Sequence, residues 1–338
     1  VLPDMAKMMS VGVLAIPEGA EELASEEIAL SEDELEVEEE EEVEVDVDVS
    51  GAKKAKEPPP PPPPTGKKPP PPPQPRRSKM PPPVPASLRK SPNWSDAFFD
   101  DDYLMSIPPP SPKVTELEVN FLKKNLQLEE GARVLDVGCG DGRHCITLAQ
   151  QGMTMVGIDR SVPFLLQASK EAQSLGLPIT FVKKDLREYE NPSPFDAVYC
   201  IGGSFGYYPD EENLGVLEKI ASFVKIGGRV VLEGINRDFA VSVLPSRIWW
   251  EGNGCMIMDE SHFDNKSSRI RIKRNMAYVS VKQRNHDIHV RCFSFTELSS
   301  LVQHFGFQVL KTVGGFVTPE AFLGQMSPSL LMVLQRVK

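Results

Sequence analysis

The chain has 338 residues, enough for one large or two ordinary domains, with 48 acidic and 37 basic residues. No stretch approaches the roughly 20 apolar residues of a membrane span, and the first residues lack the basic and apolar regions of a signal peptide. The five cysteines have no CxxC spacing, which disfavours a disulfide framework or a metal site and indicates the reduced thiols of a cytoplasmic protein. Val1 leaves open an alternative start codon or a truncated sequence.

Charge is divided sharply along the chain. Residues 1–49 contain 18 acidic residues and one lysine, whereas residues 50–90 contain ten lysines or arginines and one glutamate. Proline fills positions 58–64 and 69–73, which predicts extended polyproline II. We therefore predict a disordered tail over residues 1–90, serving as a stiff spacer or as a docking segment for a protein partner. The remainder is nearly neutral, so no nucleic acid partner is expected.

Order is expected to begin near Trp94, in an aromatic segment over residues 94–103. A helix is predicted from Thr115, with Thr115 as its N-cap. Short apolar strands and helices then alternate, which is typical of a parallel sheet covered on both faces. The predicted strands cover residues 133–137, 153–158, 179–182, 197–201 and 228–235, and the predicted helices cover residues 143–151, 162–175 and 211–224.

The pattern changes after Asn236, where segments of mixed polarity predict an antiparallel insertion over about residues 237–293. Its strands are expected at residues 255–259, 268–278 and 286–294. A helix at residues 296–305 and strands at residues 307–313 and 329–335 complete a predicted domain over residues 91–338.

A glycine-rich turn follows the first predicted strand. That strand reaches Asp136, and the turn contains Gly138, Gly140 and Gly142 directly before a helix. Glycine permits positive φ and lets backbone amides approach a ligand, and a helix start adds positive potential. The spacing is GxGxG, whereas dinucleotide binding uses GxGxxG, so a nicotinamide dehydrogenase is disfavoured. The turn therefore predicts a ligand site at the carboxyl edge of the sheet.

Acidic residues follow the next two strands. Asp159 ends the second strand, where a carboxylate accepts from both hydroxyls of a ribose, and Asp185 follows the third strand, where it accepts from an adenine amino group. With Asp136, these carboxylates suit a cationic adenosyl ligand better than a pyrophosphate. Two alternatives stay open: Asp136 caps the glycine turn, or Asp185 caps the turn that follows it.

These segments resemble the class I S-adenosylmethionine-dependent methyltransferases. The likeness covers about residues 92–338 and rests on residues 136–142, 159, 185–186, 195–199 and 224–232. Residues 94–103, 142–144, 203–207 and 236–238 also look like a bacterial group that acts on small molecules where its substrates are assigned. Ile226 stands where that family usually has proline. The resemblance implies a Rossmann-like, doubly wound α/β fold with a mostly parallel seven-stranded sheet, an antiparallel insertion after strand 5, and S-adenosyl-L-methionine as cofactor.

The resemblance also implies roles for particular residues. The cofactor is expected to contact Asp136, Gly138, Cys139, Gly140, Asp159, Arg160, Asp185, Leu186 and Ile201. Catalytic roles are expected for Ser204 and Tyr207, and acceptor contacts for Phe205, Tyr208, Trp249 and Arg291, the last two as parts of a lid. Each has a structural alternative: the tyrosines as packing residues, Trp249 and Trp250 as a core or dimer contact, and His144 as a buried structural histidine.

The predicted function is methyl transfer from S-adenosylmethionine to a small-molecule nitrogen or oxygen acceptor, by a monomer or homodimer. A protein or nucleic-acid methyltransferase is the second hypothesis. Residues 201–205 read Ile-Gly-Gly-Ser-Phe, and they lack the Asn/Asp-Pro-Pro-aromatic motif that would support it. The third is a non-catalytic cofactor-binding module tethered by the proline-rich tail.

Overall fold

The computed structural model describes residues 98–106, 110–191, 193–279, 282–317 and 319–338. The predicted tail over residues 1–90 and the start of order at Trp94 lie outside the described residues. Within the described ranges, no helix combines the length and apolar character needed to cross a membrane.

Five parallel strands form the first part of the sheet. Strands β1 to β5 span Arg133–Val137, Thr154–Asp159, Thr180–Lys183, Phe195–Cys200 and Val224–Asn236. Their order is β3-β2-β1-β4-β5, and each neighbouring pair is parallel. Short apolar strands suit this arrangement because both faces of a parallel sheet are buried. Val134 and Leu135, for example, are both fully buried but pack in different apolar clusters.

Helices cover the sheet on both faces. Helices α1 to α7 span Asp101–Ser106, Pro112–Leu126, Arg143–Gln150, Val162–Ser174, Asp210–Phe223, Arg237–Val243 and Phe295–His304. Leu122 of α2, Leu148 of α3 and Leu165 of α4 belong to one apolar cluster, and Leu217 of α5 and Leu298 of α7 belong to the other. The doubly wound α/β class predicted from the alternation is therefore confirmed.

The last two strands add one antiparallel strand and one outer strand to the sheet. Strands β10 and β11 span Phe307–Val313 and Ser329–Arg336. Strand β11 lies antiparallel between β5 and β10, so seven strands with one antiparallel member form the main sheet. This is the mostly parallel, seven-stranded arrangement that the resemblance implied.

The insertion after β5 is a four-stranded antiparallel sheet. Strands β6 to β9 span Ser246–Gly252, Cys255–Asp264, Arg269–Tyr278 and Gln283–Phe293. Strand β6 was missing from the sequence-based prediction. The insertion is also joined to the main sheet, because Ile235 and Asn236 of β5 pair in parallel with Cys292 and Phe293 of β9. The insertion therefore has a fixed orientation relative to the carboxyl edge of β5.

The predicted start of α2 was wrong. Ser111 is the N-cap, because its hydroxyl accepts from the Val114 N–H at 3.4 Å. Pro112 follows it as the first residue of the helix. Thr115 instead lies inside the helix, and its hydroxyl accepts from the Arg143 guanidinium at 3.0 Å. A serine before proline is the stronger N-cap signal, because the proline ring has a helical φ and lacks the amide that needs a cap.

A buried ion pair lies at the centre of the insertion. Arg274 of β8 is fully buried and donates two hydrogen bonds of 2.8 Å to Asp259 of β7, which is 2% exposed. The guanidinium also lies near the rings of Phe98 and Trp250, at 5.5 and 5.0 Å from their centroids. This pair holds β7 and β8 against the segment that begins at Phe98.

We expect Asp259→Ala to lower the free energy of unfolding by about 3–5 kcal/mol, because it leaves the Arg274 charge buried without a partner. The double variant Asp259→Leu, Arg274→Met should regain most of that loss, because two apolar side chains carry no desolvation penalty. Urea denaturation measures both. Glu260→Gln, on the solvent-facing side of the same strand, is the control and should leave the midpoint unchanged. A double variant less stable than Asp259→Ala would contradict this account.

Candidate active site

A large cavity lies at the carboxyl ends of β1 to β4. Its volume is about 1470 Å³, compared with roughly 300–1,000 Å³ for common small-molecule pockets. It therefore has room for a cofactor and a second molecule. Twelve of the fifteen residues predicted for the site line it: Asp136, Gly138, Cys139, Gly140, Asp159, Arg160, Asp185, Leu186, Ile201, Ser204, Tyr207 and Tyr208.

The glycine turn forms one wall of the cavity. The N–H groups of Gly138 and Cys139 both donate to the carbonyl of Ile158, at 2.8 and 3.1 Å, so the turn is attached to the end of β2. Gly138 has φ of +76°, and a Cβ there would lie 2.4 Å from the Ser204 hydroxyl. Gly140 has φ of +53°, and a Cβ there would meet no protein atom within 4 Å. The turn is therefore packed at Gly138 and open at Gly140.

Asp136 is a buried carboxylate beside this turn. It is 2% exposed and accepts from the Tyr199 hydroxyl at 2.9 Å and from the Cys145 thiol at 3.4 Å. Burial raises its pKa to about 6, although the nearby His144 and these two hydrogen bonds act in the opposite direction. Asp136 is thus an anion held at some electrostatic cost, and a cationic ligand group would reduce that cost.

Asp159 is held by backbone amides. It accepts from the Gly140 N–H at 2.9 Å through one oxygen and from the Ser161 N–H at 2.8 Å through the other. Burial raises the pKa of this carboxyl, while the amide hydrogen bonds lower it. The Arg160 N–H is a third backbone donor to this carboxylate. A carboxylate has about four lone-pair sites, so the group retains some acceptor capacity toward the cavity that it lines.

Asp185 has several protein partners. It caps the 3₁₀ turn Leu186–Glu188 by accepting from the Arg187 N–H at 2.9 Å, and it accepts from the Arg187 side chain at 2.8 and 2.6 Å. The Tyr208 hydroxyl donates to it at 3.2 Å. Burial acts to raise the pKa of Asp185, but these Arg187 contacts hold it below its ordinary value. The capping alternative is therefore realised, and adenine contact stays a prediction.

An aromatic wall, made of Phe99, Tyr103, Phe164 and Tyr207, lines another part of the cavity. Tyr103 lies 4.9 Å from Phe99 and 5.8 Å from Phe164 between ring centroids, and Phe99 lies 5.6 Å from Tyr207. The Ser161 hydroxyl donates to the Phe99 carbonyl at 2.7 Å, which attaches this segment to the start of α4. Burial raises the pKa of both tyrosines well above the ordinary value, so the wall is uncharged at neutral pH.

Three predicted acceptor residues lie away from the cavity. Phe205 is 1% exposed and stacks on Phe293 at 5.2 Å, within the core. Arg291 is 8% exposed and forms ion pairs with Asp210 and Glu297. Trp249 is 65% exposed, on a strand whose alternate residues face opposite sides. Trp249 and Arg291 do not line the cavity in this structure, and their role in a lid stays a prediction.

A buried carboxylate next to the cavity, Glu118, was missing from the sequence-based prediction, although its partners Arg143 and His144 line the cavity. Glu118 of α2 is buried, forms an ion pair with Arg143 and lies 2.8 Å from His144 Nε2. Burial acts to raise the pKa of Glu118, but the His144 and Arg143 contacts lower it overall. The sequence signal that could have revealed Glu118 is an acidic residue among the apolar positions of α2. His144 is buried beside Glu118, which agrees with the alternative interpretation of His144 as a buried structural histidine. It also lines the cavity.

Comparisons with known proteins find similarity to methyltransferases. Residues 134–228 match the family described as "Methyltransferase domain". The "Ubiquinone biosynthesis O-methyltransferase" of Aliivibrio fischeri (strain MJ11) is 30% identical over 156 residues, which are 46% of this chain and 64% of that protein. The "Glycine N-methyltransferase" of Oryctolagus cuniculus is 35% identical over 126 residues, 32% of this chain and 43% of that protein. The matched region therefore spans less than two thirds of these relatives.

Solved structures share the fold at low identity. A S-adenosylmethionine-dependent methyltransferase from Clostridium acetobutylicum has a TM-score of 0.58 and 15% identity, over 66% of this chain and 91% of that one. The CcbJ methyltransferase from Streptomyces caelestis has a TM-score of 0.61 and 15% identity, over 73% of this chain and 98% of that one. At this identity the likeness concerns the fold.

The two glycines of the turn should respond differently to alanine. Gly140→Ala should cost about 1–2 kcal/mol of unfolding free energy, from the positive φ alone. Gly138→Ala should cost about 1–3 kcal/mol more, because its methyl group overlaps Ser204. Equilibrium denaturation of both variants gives the difference. Equal losses would show that the packing of Ser204 on Gly138 is looser than described.

Proposed function

We propose that this chain is a class I S-adenosylmethionine-dependent methyltransferase, which transfers a methyl group from S-adenosylmethionine to a small-molecule nitrogen or oxygen acceptor. The observation that carries the proposal is the arrangement of two carboxylates, the buried Asp136 and the half-buried Asp159, on either side of a glycine turn that is open at Gly140.

The residues of the turn fit this cofactor. Open space above Gly140 admits a ligand chain close to the backbone. Asp136 would hold the cofactor's ammonium group, because the two charges attract strongly at a buried site. Asp159 would accept from the ribose hydroxyls through the acceptor capacity that the Gly140, Arg160 and Ser161 amides leave open. Arg160, Leu186 and Ile201 would enclose the adenine ring.

In the proposed reaction, the protein would align the acceptor atom with the methyl group of the cofactor. When bound, S-adenosylmethionine supplies a methyl group that its sulfonium already activates. Ser204, held on the Gly138 carbonyl at 3.4 Å, and Tyr207 would orient the acceptor, and the aromatic wall would exclude water. Tyr207 stays protonated at neutral pH because burial raises its pKa, so it would donate a hydrogen bond and would not act as a base. A neutral amine acceptor requires no such base.

Several observations support a small acceptor. The cavity exceeds the volume of a common single-ligand pocket, and its aromatic wall is uncharged. The two relatives named above are called an O-methyltransferase of ubiquinone biosynthesis and a glycine N-methyltransferase. The nearly neutral charge of residues 91–338 gives no support to a nucleic-acid substrate.

Asp159→Ala should weaken the binding of S-adenosylhomocysteine by at least about 100-fold, because two hydrogen bonds to a charged acceptor are lost. Isothermal titration calorimetry measures the affinity, and thermal unfolding verifies that the variant is folded. Asp196→Asn is the matched control, because this carboxylate lies at the opposite end of β4, near Lys225 and the Arg133 amide. Unchanged affinity in a folded Asp159→Ala protein would refute the ribose assignment.

Binding should also weaken in acid through Asp136. Because burial raises its pKa to about 6, Asp136 is mostly ionised at pH 7 and mostly protonated at pH 5. The attraction for an ammonium group is present above this pKa and is lost as the pH falls through it, so affinity for S-adenosylhomocysteine should drop about tenfold between pH 7 and pH 5.

The control for this prediction is Asp136→Asn. This variant should bind more weakly at pH 7 and show a flat profile between pH 5 and pH 7, measured by the same calorimetry. If Asp136→Asn retains the wild-type pH dependence, another titrating group is responsible and the assignment of Asp136 to the ammonium group fails.

A further inference from the structure

We propose that two copies of this chain associate through β6, which pairs antiparallel with the β6 of the other copy about a two-fold axis at Trp249. Within the described residues, β6 is the edge strand of the insertion and pairs on one side only, with β7. The inference concerns assembly and is independent of the proposed enzymatic function.

The backbone N–H and C=O groups of alternate β6 residues point away from β7, toward the unpaired side of the strand. Strands β6 and β7 are joined by the two-residue loop Asn253-Gly254, so Gly252 and Cys255 form a hydrogen-bonded pair. Hydrogen-bonded pairs alternate along an antiparallel ladder. The N–H and C=O groups of Arg247, Trp249 and Glu251 therefore point away from β7, toward the open edge.

The side chains of β6 are self-complementary around Trp249. If two copies pair antiparallel with Trp249 opposite Trp249, Arg247 of each copy lies opposite Glu251 of the other. These three side chains share the exposed face, since all three are exposed while the residues between them are partly buried. Each hydrogen-bonded pair would therefore carry either two aromatic rings or two opposite charges.

The edge lacks three of the features that commonly prevent strand pairing, namely proline, lysine and a bulge. Between Ser246 and Gly252 there is no proline and no lysine, and the register with β7 is continuous without a bulge. Trp249 is 65% exposed, and Met258, opposite it on β7, is 44% exposed. A regular seven-residue edge with an exposed tryptophan is suited to pairing with another strand.

Charge complementarity favours a second copy as the occupant. A partner strand must place an acidic residue opposite Arg247 and a basic residue opposite Glu251, with an apolar residue between them, and β6 itself has this arrangement. Arg247 now pairs with Glu260 at 2.7 Å, but its side chain is 81% exposed. An exposed pair of this kind gives little stabilisation, so Arg247 is free to reach a Glu251 in the partner copy.

Charge reversal and mixing test the proposal on the full chain. Glu251→Arg places arginine opposite arginine in the homodimer, and Arg247→Glu places glutamate opposite glutamate, so each variant alone should be monomeric. An equimolar mixture of the two should dimerise, because both charge pairs then become complementary. Sedimentation velocity over a concentration series should find wild type at twice the chain mass of 37.4 kDa. At concentrations where wild type is dimeric, each single variant should sediment at the mass of one chain, because its dimerisation is at least about tenfold weaker.

The matched control is Asp287→Arg, the same type of change at a 67% exposed residue of β9, at the far side of the insertion sheet. This variant should dimerise like wild type. A monomeric wild type, single variants that remain dimeric, or a mixture that stays monomeric would each overturn the proposal. Calorimetry with S-adenosylhomocysteine on the same proteins reports separately on the proposed function, because β6 does not line the cavity.

Discussion

The hydrogen bond from the Gly140 N–H to the Asp159 carboxylate, at 2.9 Å, links the turn after β1 to the end of β2. The Gly138 and Cys139 amides reinforce it through the Ile158 carbonyl. Because one partner is charged, this bond is stronger than one between neutral groups. It holds the backbone of the turn against the second strand and orients the Asp159 carboxylate. The turn and Asp159 both line the cavity, so this contact fixes the relative position of two of its walls.

The insertion contributes to the site by positioning a loop. The Arg269 guanidinium donates to the Tyr208 carbonyl at 2.8 Å, and the Arg291 N–H donates to the Gly206 carbonyl at 2.9 Å. The loop after β4, which carries Ser204 and Tyr207, is therefore attached to β8 and β9. In turn, the Tyr208 hydroxyl contacts Asp185, so the insertion and the predicted adenine end of the cavity share one chain of contacts.

The segment at Phe98–Ser106 joins the insertion to the cavity from another direction. Phe98 packs with Ile270 and Ile288 of the insertion, and the Trp250 indole donates to the Ser106 carbonyl at 2.8 Å. Phe99 and Tyr103 of the same segment face the cavity. One short segment thus lies between the insertion sheet and the proposed cofactor site, which explains why so much aromatic surface is concentrated there.

Local patterns in the sequence determined the strands and helices of the main sheet, the glycine turn and the carboxylates at the strand ends. These depend on the periodicity of apolar residues and on the φ angles that glycine permits, which are properties of neighbouring residues. Only the tertiary structure decided that Trp249 faces outward, because a period of two places Trp249 and Trp250 on opposite faces without saying which is buried. It also decided that Phe99 and Phe164 reach the cavity and that Glu118 pairs with Arg143 beside it, because packing between distant segments brings these residues there.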